Sequence, residues 1–388
     1  MAGALAGRRI VIALPRLELG GAGRQALLLA RHLVVAERAV VEVWGLGEEL
    51  DGFARPGRLA GACDALGIRW RCLALPQPLT WLKKAVSLAT FVRELRHARV
   101  EILLPYTAWA NALCGLAWRL GGARACVWSE RNADPRYTAT LLQRAAARSC
   151  PVLIANSRCG VECLIRQYGA RPSRVHYVPN GVELAPARSS RAAWRLRLGI
   201  HPTTLLVCMV AHFHTDQKDH GTVARAWQRV APQLASRGRA ARLAFAGGAA
   251  ASTRTRFLAL LDDLGIRDQV ELLGEVSDVT GLLQACDLAV FSSRFEGTPN
   301  GVLESMAAGL PVVATDLPGI RDALGAAGTR FLCPVGDAAG LAHGIVTLLL
   351  DAAAREAEGN RNRQRIADHF SPAVMVEHTT RLIRDALS

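Results

Sequence analysis

Residues 295–315 read FEGTPNGVLESMAAGLPVVAT, a glycine-containing loop followed by a helix of small residues and an apolar strand. Gly297 lets the backbone approach a ligand closely, and Pro299 suits the first position of a helix. The free N–H groups at a helix N-terminus attract anions, so a diphosphate fits this loop. The residues that this pattern predicts to bind the diphosphate-containing ligand are Gly297, Thr298, Pro299, Asn300 and Gly301.

Two acidic residues flank that helix start. Glu296 lies in the loop before it, and Glu304 lies about two helical turns later. Carboxylates accept hydrogen bonds from hydroxyl groups, so each acid can serve a different sugar. We expect Glu296 to bind a sugar that is transferred and Glu304 to bind a ribose. Together with the anion site, the two acids predict that the ligand is a sugar nucleotide.

Short apolar strands alternate with helix-length segments twice along the 388 residues. Seven strands are predicted from Arg9–Leu14 to Arg174–Val178, and five more from Thr204–Val210 to Pro311–Ala314. Such alternation is typical of doubly wound parallel sheets in an α/β protein. We therefore expect two Rossmann-like domains, at residues 1–180 and 181–371, followed by an amphipathic helix at residues 372–388.

The paired glutamates resemble the signature of glycosyltransferase family 4. In that signature a Glu-Gly pair precedes a Glu-Ala-Met-Ala-x-Gly-x-Pro-Val run, with the glutamates eight positions apart; here Ser305 replaces the alanine. Other segments are similar to family elements in the family's order: GGAGRQALLLARHL at 20–33, ANSR at 155–158, VPNGV at 178–182 and QKDH at 217–220.

The resemblance implies a GT-B fold, with two Rossmann-like domains facing a cleft and the C-terminal helix crossing back to the first domain. It implies retaining transfer of a hexose-type sugar from a UDP-sugar or GDP-sugar to a glycan or a lipid-linked acceptor, in cell-envelope polysaccharide or glycolipid synthesis. No further cofactor is implied. Lys218 matches the lysine that binds the donor phosphates, and its charge would stabilise the leaving diphosphate.

The family usually pairs that lysine with an arginine, but His212 stands at this place, and a histidine is largely neutral at pH 7. His212 is nevertheless our candidate for the catalytic role, with Arg294 or His214 as substitutes. Ligands bind at the carboxyl ends of strands in open parallel sheets. Gly20 and Gly21 follow the first strand, and we expect them to approach the donor phosphates; a tight turn is the alternative.

Polar residues also follow the fourth and fifth strands of the first domain. Tyr106 or Thr107 stands near the place where family members often carry a histidine, and either can hydrogen-bond a sugar. A partly buried aromatic at a strand end is the alternative for Tyr106. The segment Glu130, Arg131 and Asn132 suits acceptor recognition, and a local salt bridge with a helix cap is its alternative.

Three other functions remain open. Residues 21–26, GAGRQA, match a dinucleotide fingerprint, but six residues separate them from the strand and no acid ends the next strand, which disfavours an oxidoreductase. A sugar-nucleotide epimerase or a phosphorylase-like enzyme would share the fold. A catalytically weak homologue that only binds sugar nucleotides is suggested by His212.

The net charge of +14 is concentrated in the first half of the chain. Residues 1–179 contain 25 Lys and Arg against 12 Asp and Glu, whereas residues 180–388 contain 22 against 21. An anionic membrane surface is a candidate partner for this basic half, and a solvated surface is the alternative. No zinc-finger spacing or RNA motif is present, so we expect no nucleic acid to bind.

The ten cysteines have irregular spacing, which favours reduced thiols over a disulfide framework. Cys159 and Cys163 lie one helical turn apart, and packing explains this spacing better than a metal site does. We predict no metal site. The N-terminus does not resemble a signal peptide, and the longest uncharged run, Ile102–Trp118, divides into a strand and a helix. We therefore expect a cytoplasmic enzyme that can be peripheral on the inner face of the membrane.

Overall fold

The structure is a computed structural model that describes residues 4–47, 57–75, 80–131, 137–213 and 217–387. The chain divides into two compact units. The first unit comprises Met1–Gly181 together with Pro372–Ser388, and the second unit comprises Val182–Ser371.

The first unit contains a seven-stranded sheet in which neighbouring strands pair in parallel, in the order β3-β2-β1-β4-β5-β6-β7. Its central strands are short runs of Val, Ile, Leu and Ala that are buried, as expected for a parallel sheet covered on both faces. The strands are β1 Arg9–Leu14, β2 Val40–Gly45, β3 Arg69–Cys72, β4 Ile102–Pro105, β5 Ala125–Glu130, β6 Val152–Ala155 and β7 Val175–Tyr177.

In the described part of this unit, six helices alternate with these strands. Threonine or serine side chains cap several of them: Thr80, Thr140 and Ser157 each accept a hydrogen bond from a backbone N–H in the first turn. The helices are α1 Gly21–Val35, α2 Arg58–Ala65, α3 Trp81–His97, α4 Ala108–Ala117, α5 Leu141–Ser149 and α6 Arg158–Arg166. Helices α3 to α6 contribute to the hydrophobic core on one face of the sheet, and α1 and α2 to the core on the other face.

The second unit contains a six-stranded parallel sheet in the order β10-β9-β8-β11-β12-β13. The crossover to β11 places the ends of β8 and β11 side by side, which is the switch point where open sheets bind ligands. The strands are β8 Leu205–Val210, β9 Ala241–Ala246, β10 Val270–Gly274, β11 Leu288–Phe291, β12 Val312–Thr315 and β13 Leu332–Cys333.

Eight helices complete the second unit around one large hydrophobic core. Four of them, α8, α10, α13 and α14, begin after an aspartate whose carboxylate accepts a hydrogen bond from the first turn. The helices are α7 Arg191–Arg197, α8 His220–Ala235, α9 Ala251–Asp263, α10 Val279–Ala285, α11 Asn300–Ala307, α12 Pro318–Gly328, α13 Ala338–Leu350 and α14 Ala352–His369.

The last helix, α15 Pro372–Asp385, returns to the first unit. Met375 and Ile383 are buried in the core that α1 shares with the sheet, and Arg384 pairs with Glu37 at 2.6 Å. This position agrees with the C-terminal helix that crosses back to the first domain in the expected fold.

The end of the first unit's main segment is held by a reciprocal contact. The side-chain amide of Gln25 in α1 donates to the Gly181 carbonyl at 2.8 Å and accepts from the Gly181 N–H at 2.8 Å. Gln25 is buried, so both backbone groups of Gly181 are satisfied where the chain leaves the first unit.

Two polar side chains in the second unit are enclosed by the core. Asp278 accepts hydrogen bonds from three backbone N–H groups and from the Trp194 indole, at 2.9 to 3.1 Å. Burial raises the pKa of Asp278, but these hydrogen bonds outweigh it and hold the pKa below its usual value. His220 stacks on Phe213 with ring centroids 3.8 Å apart, and burial lowers its pKa from 6.5 to about 4.

All twelve predicted strands are present, with ends that differ by at most one residue. The thirteenth, β13, has only two residues and was not predicted. Among the described residues no single helix is long and apolar enough to cross a bilayer; the pair Ala338–Leu350 and Ala352–Asp385 meets the criteria together but is bent by 104°.

Candidate functional site

The loop before α11 lies at the carboxyl edge of the second sheet, as the sequence predicted. Helix α11 begins at Asn300, and Pro299 is its N-cap residue, one position before the first helical position expected for it. Within the described residues no side chain caps this helix start. The Val302 and Leu303 N–H groups donate to the Pro299 carbonyl at 3.1 and 3.3 Å, and the positive end of the helix dipole at this start favours an anion.

Two glycines allow close packing around this loop. A Cβ at Gly301 would collide with the Val210 carbonyl at the end of β8 and would lie 2.9 Å from the Phe291 ring. A Cβ at Gly319, in the first turn of α12, would collide with the Gly297 carbonyl. The glycine at 301 is therefore explained by helix packing on the strands, and Gly319 holds α12 against the loop.

Lys218 and Glu296 contact each other through their charged groups. The amide of Gln217 donates to the second carboxylate oxygen of Glu296 at 3.1 Å. Glu296 is buried, and both its carboxylate oxygens contact donors from the segment Gln217–Lys218. The two residues that we expected to bind phosphate and sugar thus form one cluster.

The backbone holds that cluster in place. Lys218 forms an antiparallel bridge with Ser293, and the N–H groups of Asp219 and Arg294 donate to Ser292 and Gln217 carbonyls at 2.9 and 2.8 Å. Lys218 precedes the Asp219 cap of α8, so it lies two residues before the helix rather than at its start. The Arg294 side chain is exposed.

His212 follows β8 and is exposed at the same edge of the sheet. A Cβ at Gly248 would lie 3.3 Å from His212 Nδ1 and 3.2 Å from Glu275 Oε1, so the imidazole and this carboxylate both lie close to the glycine. His214, the alternative to His212, lies outside the described residues. The structure therefore brings His212 close to an acid that the sequence analysis did not single out.

Glu304 lies in α11 and is buried, with 7 % of its surface exposed. The hydroxyl of the neighbouring Ser305 donates to the Gly301 carbonyl, one helical turn earlier, at 2.8 Å. Thr298 in the loop is buried as well. Glu296 and Glu304 thus both occupy enclosed positions at the two ends of the segment that begins α11.

The glycines after β1 differ from one another. Gly20 is the exposed N-cap residue of α1, with open space where a Cβ would stand, and Gly21 is the first helical residue. Gly23 is the constrained one, because a Cβ there would collide with the Glu18 carbonyl. Space around Gly20 leaves room for a ligand, but no contact within the unit requires glycine there.

On the first unit, Tyr106 and Arg131 form a buried pair. The Arg131 guanidinium lies 4.9 Å from the centroid of the Tyr106 ring, and it donates to Asn180 Oδ1 at 2.8 Å. Burial raises the pKa of the Tyr106 hydroxyl and lowers the pKa of Arg131. Tyr106 has no exposed surface, so it is buried more fully than the partly buried aromatic considered as its alternative, and it supports Arg131 from within.

Thr107 adopts an unusual backbone conformation. Its φ is +73° and its ψ is 157°, a region that is essentially restricted to glycine. Asn111 makes two hydrogen bonds with the Ser129 backbone, at 2.9 and 3.3 Å, and the Thr107 N–H donates to the Ser129 carbonyl at 3.3 Å. These bonds between β5 and the start of α4 hold Thr107 in its strained conformation.

Glu130 ends β5 and is buried beside Arg131. The amide of Asn156 donates to Asn180 Oδ1 at 3.3 Å, so one oxygen joins the ends of β5, β6 and β7. Asn132 lies outside the described residues. The acceptor-side candidates that are described therefore form a connected polar layer at the carboxyl edge of the first sheet.

Several residues of these sites were not predicted from the sequence. A weak signal existed for the glycine pair that includes Gly248, which follows a strand, and for the Pro-Gly pair that includes Gly319. Gln217 precedes Lys218, which was predicted to bind the donor phosphates, but Gln217 itself was not predicted. Asn111 gave no signal, and Asn180 was noted only within the VPNGV segment, because the partners of both are distant in sequence. Among the described residues, no group of three or more His, Cys, Asp or Glu side chains could hold a metal ion.

Two family models match the chain. One, described as Glycosyltransferase Family 4, matches residues 19–186, and another, described as Glycosyl transferases group 1, matches residues 204–351. An N-acetyl-alpha-D-glucosaminyl L-malate synthase from Bacillus anthracis is 32% identical over 34% of this chain and 34% of that protein. A D-inositol 3-phosphate glycosyltransferase from Nocardia farcinica is 27% identical over 63% of this chain and 54% of that protein.

The alignments thus span between a third and about half of the length of these two curated relatives. Among solved structures, Anabaena Alr3699/HepE in complex with UDP and glucose has a TM-score of 0.81 at 19% identity, covering 97% of this chain and 100% of its own. A glycosyltransferase from Rickettsia africae has a TM-score of 0.81 at 15% identity, covering 98% and 99%. These likenesses confirm the GT-B fold expected from the sequence.

Proposed function

The chain belongs to family 4 of the GT-B glycosyltransferases, and from this premise we propose that it transfers a hexose-type sugar from a nucleoside diphosphate sugar, with retention of configuration, to a glycan or lipid-linked acceptor. The observation that carries the proposal is the contact between Lys218 and Glu296 beside the start of α11. An ammonium, a carboxylate and the positive end of a helix dipole are the chemistry that a sugar diphosphate needs.

In this proposal the diphosphate binds the N-terminus of α11 and the ammonium of Lys218. As the bond between the sugar and the diphosphate breaks, negative charge grows on the leaving oxygen, and both groups stabilise it. The acceptor hydroxyl attacks from the same face and gives its proton to the leaving diphosphate. Glu296 holds a sugar hydroxyl, and Glu304 holds the ribose.

The acceptor belongs to the first unit in this proposal. Arg131 and Glu130 lie at the ends of its strands with Thr107, where polar side chains can bind a hydroxylated or phosphorylated acceptor. Retention is supported by the resemblance to the family, and attack from the face that the diphosphate leaves would keep the configuration of the sugar. The complex of the Anabaena protein with UDP and glucose supports a nucleotide sugar as donor.

The test begins with a panel of UDP-sugars and GDP-sugars, each screened for its effect on thermal stability. Ligand at 100 times its dissociation constant adds about 2.7 kcal/mol of stability. The stabilising donor is then incubated alone, and release of the nucleoside diphosphate is followed by chromatography, with the anomeric configuration of the freed sugar read by NMR. Activity should persist in EDTA, because Lys218 and the helix supply the positive charge.

A second candidate, a homologue that binds sugar nucleotides with little turnover, is favoured by one observation: His212 stands where the family usually has arginine. Stabilisation by a sugar nucleotide without any hydrolysis or transfer would support this candidate. Stabilisation by none of the panel would contradict both. Replacing His212 by Arg separates them further, because turnover should rise in the weak homologue.

A further inference from the structure

Helices α3 and α5 begin in the same way. The segment from Thr80 reads TWLKKA, and the segment from Thr140 reads TLLQRA. In each, the threonine side chain caps the helix by accepting from the N–H three residues later, at 3.3 and 3.4 Å. Two large apolar residues then occupy the first turn, followed by a basic residue and an alanine.

These apolar residues are exposed. Trp81 and Leu82 expose 79% and 57% of their surfaces, and Leu141 and Leu142 expose 83% and 52%. We call these four residues the apolar rim. The exposed side of an ordinary surface helix is polar, and clustered exposed apolar residues mark interaction surfaces.

The exposed apolar side of α3 extends beyond the rim. Ala85, Val86 and Ala89 are exposed, whereas Phe91 and Leu95 on the other side of the helix are buried in the core. The helix therefore has two apolar sides, and only one of them packs within the first unit. Folding of the unit explains the buried side and leaves the exposed side unexplained.

The two helix starts lie at the same edge of the first unit. Both helices follow parallel strands, so both begin at the carboxyl edge of the sheet. Helix α4 lies between them and contacts each one, and a Cβ at Gly115 of α4 would lie 2.8 Å from the Ala146 carbonyl of α5. Packed helices are 8–10 Å apart, so the two starts are about 20 Å from each other.

The acceptor-side residues share that edge, since Thr107 begins α4 between the two starts. The basic residues near the apolar rim indicate which kind of partner this surface fits. Lys83 and Lys84 follow the apolar pair in α3 and are exposed, whereas Arg144, which corresponds to Lys84, is half-buried in α5. The chain segment 1–179 carries 25 basic against 12 acidic residues. Exposed Trp and Leu beside lysines suit the interface of an anionic bilayer.

We propose that the apolar rim inserts into an anionic lipid surface at two points, on either side of α4, and so presents the first unit's acceptor-side edge to a lipid-linked acceptor. The identity of the acceptor rests on the proposed function, but the docking itself does not. The two starts act together, because either pair alone offers only two large side chains to the bilayer.

The test is co-sedimentation of the full chain with vesicles of phosphatidylcholine containing about one third phosphatidylglycerol. Trp81→Ser with Leu82→Ser should lower partitioning at least about tenfold, and Leu141→Ser with Leu142→Ser should do the same. Lys83→Glu with Lys84→Glu should reduce binding to the level seen with phosphatidylcholine alone. Wild-type binding should fall steeply as salt rises from about 0.05 to about 0.5 M.

The matched control is Val35→Ser, because Val35 is 72% exposed at the far end of α1, toward the opposite edge of the sheet. This variant should bind vesicles like the wild type. Thermal unfolding checks that each variant is folded, and we expect this because substitutions at exposed positions disturb the core little. Variants of either rim pair that co-sediment like the wild type would overturn the proposal.

Two further measurements separate this proposal from others. Release of nucleoside diphosphate without vesicles should be unchanged in the rim variants. This release assay tests the proposed function, and sedimentation with vesicles tests the docking, so the two proposals can fail separately. Light scattering reports the oligomeric state. A wild-type dimer that the rim variants dissociate, together with no vesicle binding, would make the rim a protein interface and overturn the lipid assignment.

Discussion

The ammonium of Lys218 contacts the carboxylate of Glu296, with the two side chains only 14% and 6% exposed. An enclosed cation in such a pair loses little by exchanging its partner for a diphosphate, since the positive charge remains paired throughout. Glu296 is then released to accept a sugar hydroxyl. Under the proposed function, the contact is the arrangement of the site without donor, and the roles proposed for the two residues are interdependent.

We expect Lys218→Ala to lower turnover about 100-fold to 1000-fold, as loss of a preorganised donor to a developing oxyanion does. Donor affinity should change less, because the charge matters most when the diphosphate departs. Steady-state kinetics and calorimetry with the donor measure the two quantities. Lys218→Arg, which keeps the charge, is the matched control and should retain more activity. Turnover within a few-fold of wild type for Lys218→Ala would remove the lysine from the mechanism.

Glu304→Ala should weaken binding of the nucleoside diphosphate by about 1.5–3 kcal/mol, the value of a hydrogen bond to a charged group. Isothermal titration calorimetry measures this affinity. The neighbouring Ser305→Ala is the control, because it removes only the hydrogen bond to the Gly301 carbonyl and should leave the affinity in place. Unfolding of both variants shows whether burial of Glu304 is also needed for stability. An unchanged affinity would contradict the ribose assignment.

Asp278→Asn should lower the free energy of unfolding by about 3 kcal/mol, because one carboxylate oxygen that accepts hydrogen bonds becomes a donor. The pKa of Asp278 is lowered in the folded protein, so its contribution is present above the usual value near 3.8 and is lost as the pH falls through the folded value. Urea unfolding measures it. Asp262→Asn, at an exposed position of α9, should change stability little; equal effects would contradict the prediction.

Stability should decrease between pH 6.5 and pH 4 because of His220. Its pKa is lowered to about 4 when folded, so below pH 6.5 the unfolded chain takes up a proton that the folded protein does not. This amounts to about 3 kcal/mol at the acidic end. His220→Phe keeps a ring to stack on Phe213 and should reduce that loss. Urea unfolding at pH 7 and near pH 4.5 compares the two proteins, and parallel losses would disprove the assignment.

Thr107→Gly should raise the free energy of unfolding by about 1 kcal/mol, because relief of backbone strain at φ +73° exceeds the entropy that glycine loses on folding. Thr107→Val removes the hydroxyl but keeps the branched side chain, so it should not stabilise the protein. Chemical unfolding of the two variants separates strain from hydrogen bonding. A less stable glycine variant would show that the conformation is not strained.

The strands were predictable because parallel sheets need apolar runs, and these stand out between helix-length segments; β13 was missed because two residues carry no such pattern. The loop before α11 was predictable because Glu296, Gly297 and Pro299 lie within four residues of one another. The contact of Lys218 with Glu296 spans 78 positions, so the sequence indicated both residues but not their pairing.

Other features contradict local preferences or depend on distant partners. A threonine predicts an extended or helical backbone with negative φ, yet Thr107 is held at positive φ by bonds from another strand. Gln25 resembles a solvent-facing residue of α1 until Gly181, 156 positions away, becomes its partner. The charge of residues 1–179 predicted a membrane surface as a candidate partner, but the matching starts of α3 and α5 became significant only through their exposure and their places beside α4.

The first unit is built from two separate stretches of chain, since α15 supplies Met375 and Ile383 to a core otherwise formed by residues that precede Gly181. On a ribosome, the second unit emerges as one uninterrupted segment and has its whole core available before the first unit does. The amino-terminal unit must therefore wait for the last helix, which reverses the usual order in which domains complete folding during synthesis. A nascent chain that stops before Pro372 leaves the apolar surface beneath α15 open to chaperones.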